Sequence, residues 1–300
     1  MGTGTYRLGL VLHPTRDTTP EVRQVLTWAA GLGVEVVALA RPGLPPEVTT
    51  VGPAELPEVN GVVAIGGDGT ILGALRLVAR RDVPVLGVNR GTVGFLAEIG
   101  PGRLTAALDR LARGDFSVDS RPALRVVKDG GEPTAENLAF NDVALVRLPG
   151  QGFGTLRLGV QGQTFAAYRC DALVVATAMG STAYNYAAGG PLVSPQAEVM
   201  CVTPVAPIAG PDRALVVTPR EPLEFTVQGA RMALEADGAV VAEVGAGDTV
   251  HVEYVPGAGR LVRFDPADHG RRTAVKLSLQ DLPLPPEELR RLYEADTSAH

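Results

Sequence analysis

From Tyr6 to about Asp115, short apolar runs alternate with stretches whose apolar residues recur at helical spacing. That alternation leaves few folds open. Each strand returns to the sheet through a helix, which builds a parallel sheet covered by helices. "YRLGLVLHP" reads as a first strand. Val22, Val25, Leu26 and Ala29 then fall at i, i+3, i+4 and i+7, one apolar face of a helix that starts near Thr19 and Pro20. "VEVVALA", Gly61 to Ile65 and "VPVLGVN" are further strands, and "TILGALRLVARR" and "GRLTAALDRLARGD" are helices.

Beyond about Phe116 the pattern changes to short β-type segments, "TLRLGV", "DALVVAT", "PLEFTVQ" and "GDTVHVEYV". They are punctuated by turn signals such as Asp129-Gly130, Asp237-Gly238 and "PGAGR". This predicts antiparallel sheet in a sandwich-like arrangement. The fold class is therefore α/β plus β. A parallel-sheet α/β domain is expected over 1–116, a β-rich domain over 117–265, and a terminal segment with a Pro-rich turn and a charged helical end over 266–300. With 45% hydrophobic residues in a chain of 300, there is enough apolar surface for two cores.

Several site types are absent by spacing. No Gly-Lys pair exists for a Walker loop, no GxGxxG follows a strand, and no GxSxG surrounds a serine. His13, His251, His269 and His300 are scattered, and Cys170 and Cys201 have no CxxC spacing, so no residues are assigned to a metal site. Two isolated cysteines fit a reducing cytoplasm. A net charge of −6 argues against a nucleic-acid partner, and the apolar runs are too short for a membrane span.

What remains is Gly66-Gly67-Asp68-Gly69-Thr70, at the carboxyl end of an expected parallel strand and the amino end of a helix. Anions bind at such places, because glycines let successive N–H groups approach a phosphate chain. The negatively charged Asp68 does not serve phosphates directly. One reading has it orient a hydroxyl acceptor and take its proton during phosphoryl transfer, with Mg²⁺ offsetting the repulsion. The other has Asp68 cap the following helix in an ordinary tight turn. The pentapeptide alone does not choose between them.

A second constellation, "YRCDALVVATAMGSTAYNYAAGGPLVSP", follows a β-strand with a run of small residues and hydroxyls around two tyrosines. Such a stretch can lay a flat ring against backbone, with Thr182 and local N–H groups at its edges and Tyr184 offering an aromatic face. Arg169 can meet a phosphate, and Asp171 an amide donor. A small-residue loop leading into a close-packed helix accounts for the same composition. Asn141-Asp142 is commonplace turn chemistry when taken alone.

Together these segments resemble the NAD kinases. "GGDGT" at 66–70, "GVNRGTVGFLAEI" at 87–99, "FNDVAL" at 140–145, "DALVVATAMGSTAYNYAAGGPLVSP" at 171–195 and "TPVAPIA" at 203–209 occur in that family's order. The likeness covers roughly Tyr6 to Phe264. GGDGT is shared with diacylglycerol kinases, sphingosine kinases and phosphofructokinases, and its pairing with GSTAY is far more specific.

The resemblance implies phosphoryl transfer from ATP, or polyphosphate in some members, to the 2′-hydroxyl of the adenosine ribose of NAD. It makes Asp68 the catalytic aspartate, with Mg²⁺ arriving with ATP. Gly66, Gly67, Gly69 and Thr70 stand near the phosphates. Asn141 and Asp142 match an Asn-Glu pair at ribose and adenine, and Phe95 an aromatic near adenine. Arg169 and Asp171 border the nicotinamide side, and Thr182, Ala183, Tyr184, Asn185, Tyr186 and Ala187 line the nucleotide.

The family also implies a ligand between an α/β and a β-rich domain, a homodimer or homotetramer, and a terminal segment returning to the first domain. Asp142 replaces the usual glutamate, withdrawing the carboxylate by about 1.5 Å. Ala178-Met179 replaces a Pro-Thr pair, Ala187 a common serine, and Val93 a common leucine. The rival expectations are an NAD(P)-binding sensor without transfer activity and a GGDGT lipid kinase.

Overall fold

The computed structural model describes residues 6–271 apart from 80, 90–93, 133, 135, 136 and 268. Val93 and most of the expected terminal segment, 272–300, lie outside the described residues. The described chain divides into two compact units, after Ser120 and again after Ala258, with the described residues beyond Ala258 belonging to the first.

The first unit runs β1 (Arg7–Leu12), α1 (Thr19–Leu32), β2 (Glu35–Leu39), β3 (Thr49–Val51), β4 (Gly61–Gly66), α2 (Asp68–Leu77), β5 (Val85–Asn89), α3 (Leu104–Arg113) and the start of β6 (Ser117–Lys128). Its strands pair in the order β5-β4-β1-β2-β3, all parallel. Chain order reverses beside β1, so β1 and β4 flank the point where open parallel sheets place ligands, at their carboxyl ends.

Val22, Val25 and Trp28 of α1 and Leu104, Leu108 and Leu111 of α3 pack with Leu8, Leu10, Val63 and Leu86 of the sheet. Each fully buried aliphatic side chain contributes about 1.5–3 kcal/mol over its exposed state. Pro20 fits the first turn of α1, and Gly33 ends that helix in the left-handed region at φ 67°. α2 begins at Asp68, two residues before the expected Thr70, and stops at Leu77.

The second unit holds the rest of β6, β7 (Leu138–Ala139), β8 (Asp142–Arg147), β9 (Gly154–Val160), β10 (Gln163–Cys170), β11 (Ala172–Thr177) and the short α4 (Tyr184–Ala187). There follow β12 (Met200–Val205), β13 (Leu215–Val217), β14 (Leu223–Val227), β15 (Met232–Ala236), β16 (Ala239–Val244) and β17 (Thr249–Arg263). One antiparallel layer runs β10-β9-β14-β17, and the other runs β13-β12-β11-β8-β15-β16. Leu156, Leu158 and Phe225 of the first layer pack with Leu145, Leu173 and Leu234 of the second, which is a sandwich core.

The divisions do not fall in linkers. β6 runs through the first and β17 through the second, and β17 ends with Leu261 parallel to Val85 of β5. No described helix is long and apolar enough to cross a membrane.

Candidate active site

The Gly66 to Thr70 turn joins β4 to α2 directly. A Cβ on Gly66 would overlap the Thr70 hydroxyl, so the close approach of that buried threonine requires glycine. Gly67 is the helix N-cap, extended at φ −97° and ψ −172°. Among the described residues, a Cβ on Gly67 or on Gly69 would meet nothing within 4 Å. The fold thus accounts for the first glycine and leaves open space at the other two.

Asp68 is the first helical residue and makes no capping bond. That removes the helix-cap reading, because a carboxylate inside the first turn cannot take the N-cap geometry. Its oxygens reach across to another segment instead. Oδ2 accepts the Phe95 N–H at 2.7 Å, and Oδ1 accepts the Leu96 N–H at 3.1 Å. Gly94 is glycine because a Cβ there would overlap Asp68 Oδ1. The 95–99 segment is itself tied to β5, with Glu98 N–H on the Gly87 carbonyl at 2.9 Å and Asn89 N–H on the Ile99 carbonyl at 2.8 Å. Phe95 and Asp68 are both half-buried.

In the second unit, Asp142 opens β8 and Asn141 immediately precedes it. Asp237 and Gly238, at φ 47° and 77°, form the two-residue hairpin turn between β15 and β16 that the sequence signals. The Asp237 carboxylate has a second task. It accepts N–H bonds from Phe140 at 3.0 Å, Asn141 at 2.7 Å and Asp142 at 3.2 Å. The hairpin therefore pins the Asn-Asp segment.

Thr177 holds it from the other side. Its N–H donates to the Asn141 carbonyl at 2.9 Å, and its hydroxyl donates to the Phe140 carbonyl at 2.7 Å and accepts the Gly180 N–H at 3.0 Å. Gly180 lies so close to the Asn141 backbone that a Cβ would overlap it.

Asp142 is only 6% exposed. Burial first, then the charges of Asp237 and Glu235, push its carboxyl up to about 7 against the pull of a hydrogen bond from the Tyr184 N–H. The Tyr184 hydroxyl is also raised, by burial and then by Glu235, Asp142 and Asp171. Tyr184 is thus within electrostatic reach of both Asp142 and Asp171. Asp171 is half-exposed and paired with Arg147 at 2.5 Å, and the Arg169 guanidinium lies over the Phe153 ring at 5.5 Å.

The small-residue run is a 3-10 turn, Met179–Thr182, leading into α4. Asn185 is fully buried, and its amide donates to the Ser181 and Pro191 carbonyls at 3.3 and 3.0 Å and accepts the Thr203 hydroxyl at 2.7 Å. Its side chain closes the turn on itself. The Thr182 hydroxyl donates to the Met179 carbonyl at 3.3 Å. Ala183, Tyr184 and Tyr186 are half-buried and Ala187 is exposed.

Asp237, Glu235, Arg147 and Phe153 were not singled out as site residues by sequence reasoning. Only the Asp-Gly turn signal pointed near any of them.

Over 48–116 the chain matches the ATP-NAD kinase N-terminal domain, and over 140–264 the ATP-NAD kinase C-terminal domain. The chain belongs to the NAD kinase family. It is 37% identical over 257 residues to the NAD kinase of Symbiobacterium thermophilum, covering 84% of this chain and 90% of that protein. To NAD kinase 1 of Streptomyces coelicolor it is 32% identical over 320 residues, covering 92% and 87%.

Among solved structures, an Archaeoglobus fulgidus NAD kinase in complex with ATP superposes with a TM-score of 0.71 at 27% identity, covering 91% of this chain and 98% of that one. Yeast NADH kinase complexed with NADH shares the fold at a TM-score of 0.79 and 19% identity, over 94% and 90%. As an NAD kinase family member the chain is a phosphotransferase.

One departure from the NAD kinase pattern is structurally mild. Ala178, where the family has proline, sits at φ −55° and ψ −37°, within proline's range. Its N–H donates no hydrogen bond among the described residues. Ala178→Pro should therefore fold and raise stability by about 0.4–1 kcal/mol through the unfolded chain. Urea denaturation of the two proteins checks this, and a lower midpoint for the proline variant would contradict it.

Proposed function

We propose that Asp68 orients the 2′-hydroxyl of the adenosine ribose of NAD and takes its proton as the terminal phosphoryl group of MgATP moves to that oxygen. The new P–O bond yields NADP, and the broken one leaves ADP. One observation carries this reading: the Asp68 carboxylate is held across the turn by two backbone amides instead of capping its helix. Each oxygen accepts one amide and keeps a lone pair for a substrate hydroxyl.

The open space at Gly67 and Gly69, beside the amino end of α2, supports donor phosphates there. Asn141, Asp142, Arg169, Asp171 and the Thr182 to Ala187 turn hold NAD, with Phe95 near its adenine. Within that turn Asn185 acts on the loop's shape, since its side chain has no exposure. Among the described residues no three His, Cys, Asp or Glu side chains are grouped to hold a metal ion. In this reading Mg²⁺ enters as part of the ATP substrate and offsets phosphate charge.

The protein works in the cytoplasm as a homodimer or homotetramer. Its two cysteines are free and buried, and burial followed by the charge of Asp171 pushes the Cys170 thiol up to about 12, which suits a thiol that stays reduced.

The deciding assay incubates purified protein with MgATP and NAD and quantifies NADP, with parallel arms using polyphosphate and diacylglycerol. NADP formation from ATP is expected. NAD binding without NADP would overturn the reading in favour of a sensor, and phosphorylation of the lipid alone would overturn it in favour of a lipid kinase.

A further inference from the structure

Arg263 closes β17 and is 2% exposed. Its Nη1 donates to the Leu96 carbonyl at 3.0 Å, and Leu96 is the residue whose N–H donates to Asp68 Oδ1 at 3.1 Å. The guanidinium and the Asp68 carboxylate therefore grip the same residue from its two backbone sides. Two acids also hold the guanidinium. Nε bonds Asp119 at 3.0 Å, and Nη1 lies 3.5 Å from Oε2 of the buried Glu98. Glu98 Oε1 in turn accepts the Phe264 N–H at 2.9 Å, and the Ser117 hydroxyl donates to the Arg263 carbonyl at 3.0 Å.

We propose that Arg263 is a positioning residue for the Asp68 carboxylate, acting through the Leu96 backbone. The proposal rests on the reading of Asp68 given above. A charge buried this completely is a poor device for stability alone, because well-packed apolar replacements of buried ion pairs are often neutral or stabilising. What arginine adds is a rigid planar fork that serves a carbonyl and two carboxylates at once. A lysine ammonium keeps the charge but cannot hold that spread of acceptors. The fork fixes the backbone that carries the two amides, and the amides fix the carboxylate.

The test uses Arg263→Met and Arg263→Lys in the full chain, with steady-state kinetics and amide hydrogen exchange by NMR. In Arg263→Met, kcat should fall by up to about 100-fold from misplacement of the base, with KM for NAD and MgATP within a few-fold of the parent. Arg263→Lys should recover part of kcat. Exchange at the Phe95 and Leu96 amides should accelerate in both variants, while exchange in β8 and β11 stays as in the parent.

Unchanged protection at Leu96 in a folded variant overturns the proposal. So does a kcat loss matched by the unfolded fraction, or a loss confined to KM. If Arg263→Met does not fold, the lysine variant decides by the same readings. The exchange measurement needs no turnover, so failure of the parent to make NADP sinks the reading of Asp68 and leaves the Arg263 coupling separately decided.

Discussion

Asp68→Asn should lower kcat for NADP formation by about 10²–10⁴-fold, the range that a general base contributes, while NAD binds nearly as in the parent. Asparagine keeps the shape but cannot take a proton from the ribose hydroxyl. It also meets two backbone donors, from Phe95 and Leu96, with only one acceptor oxygen. One of those amides loses its partner, a cost of about 1–3 kcal/mol if it stays buried.

Gly94→Ala separates placement from chemistry. It leaves the carboxylate intact but puts a methyl group where Oδ1 now sits. The overlapped atom ends a side chain, so the fold can yield there at little cost while the base moves. Turnover should fall by up to about 100-fold with NAD affinity and melting temperature changed little. Steady-state kinetics and calorimetric titration of NAD check both variants. Near-parental turnover in Asp68→Asn would end its assignment as the base, and near-parental turnover in Gly94→Ala would show that its placement is not demanding.

Asp68→Asn could be designed from sequence, but Gly94→Ala could not, and the reason is physical. The parallel half was legible because its strands are buried on both faces and its helices carry a clean apolar stripe. "GVVAIG" is buried at every position of β4, and Leu104, Leu108 and Leu111 fall on one face of α3. β3 was missed because three residues give no alternation to read. In the sandwich, β16 is mostly exposed or half-exposed along "AVVAEV", and β10 carries a register shift between Thr164 and Ala166 that breaks its alternation.

The site divides the same way. GGDGT and its place between strand and helix were local facts, open to a reader of the chain. The choice between cap and carboxylate-in-place rested on donors 27 and 28 residues away. Asp237 announced itself as a hairpin turn, yet its bonds to Phe140, Asn141 and Asp142 cross 95 to 97 residues. Local pattern carries no information about such partners. The same gap hid Arg147, whose pairing with Asp171 spans two strands.

Asp142 should make the stability of the protein fall as pH rises from about 4 to about 7. Its carboxyl has an ordinary value of 3.8 in the unfolded chain and is pushed up to about 7 in the fold, chiefly by burial and then by Asp237 and Glu235. Between those values the folded chain holds a proton that the unfolded chain has released. Unfolding then releases a proton, and raising the pH favours it. The contribution is complete below the unfolded value and is lost as pH climbs through the folded one. A gap of about three pH units corresponds to about 4 kcal/mol at most.

Asp142→Asn keeps the size of the side chain and removes the titration, so it should lie close to the parent at pH 4 and become the more stable protein by a few kcal/mol at pH 8. Denaturant midpoints at pH 4, 5, 6, 7 and 8 measure the divergence. Curves that stay parallel across that range would mean that the Asp142 carboxyl is ionised throughout, with the Tyr184 amide outweighing burial and its acidic neighbours. Divergence would instead tie the substitution of aspartate for the family's glutamate to a carboxyl that changes charge close to neutrality, at the segment proposed to hold the ribose.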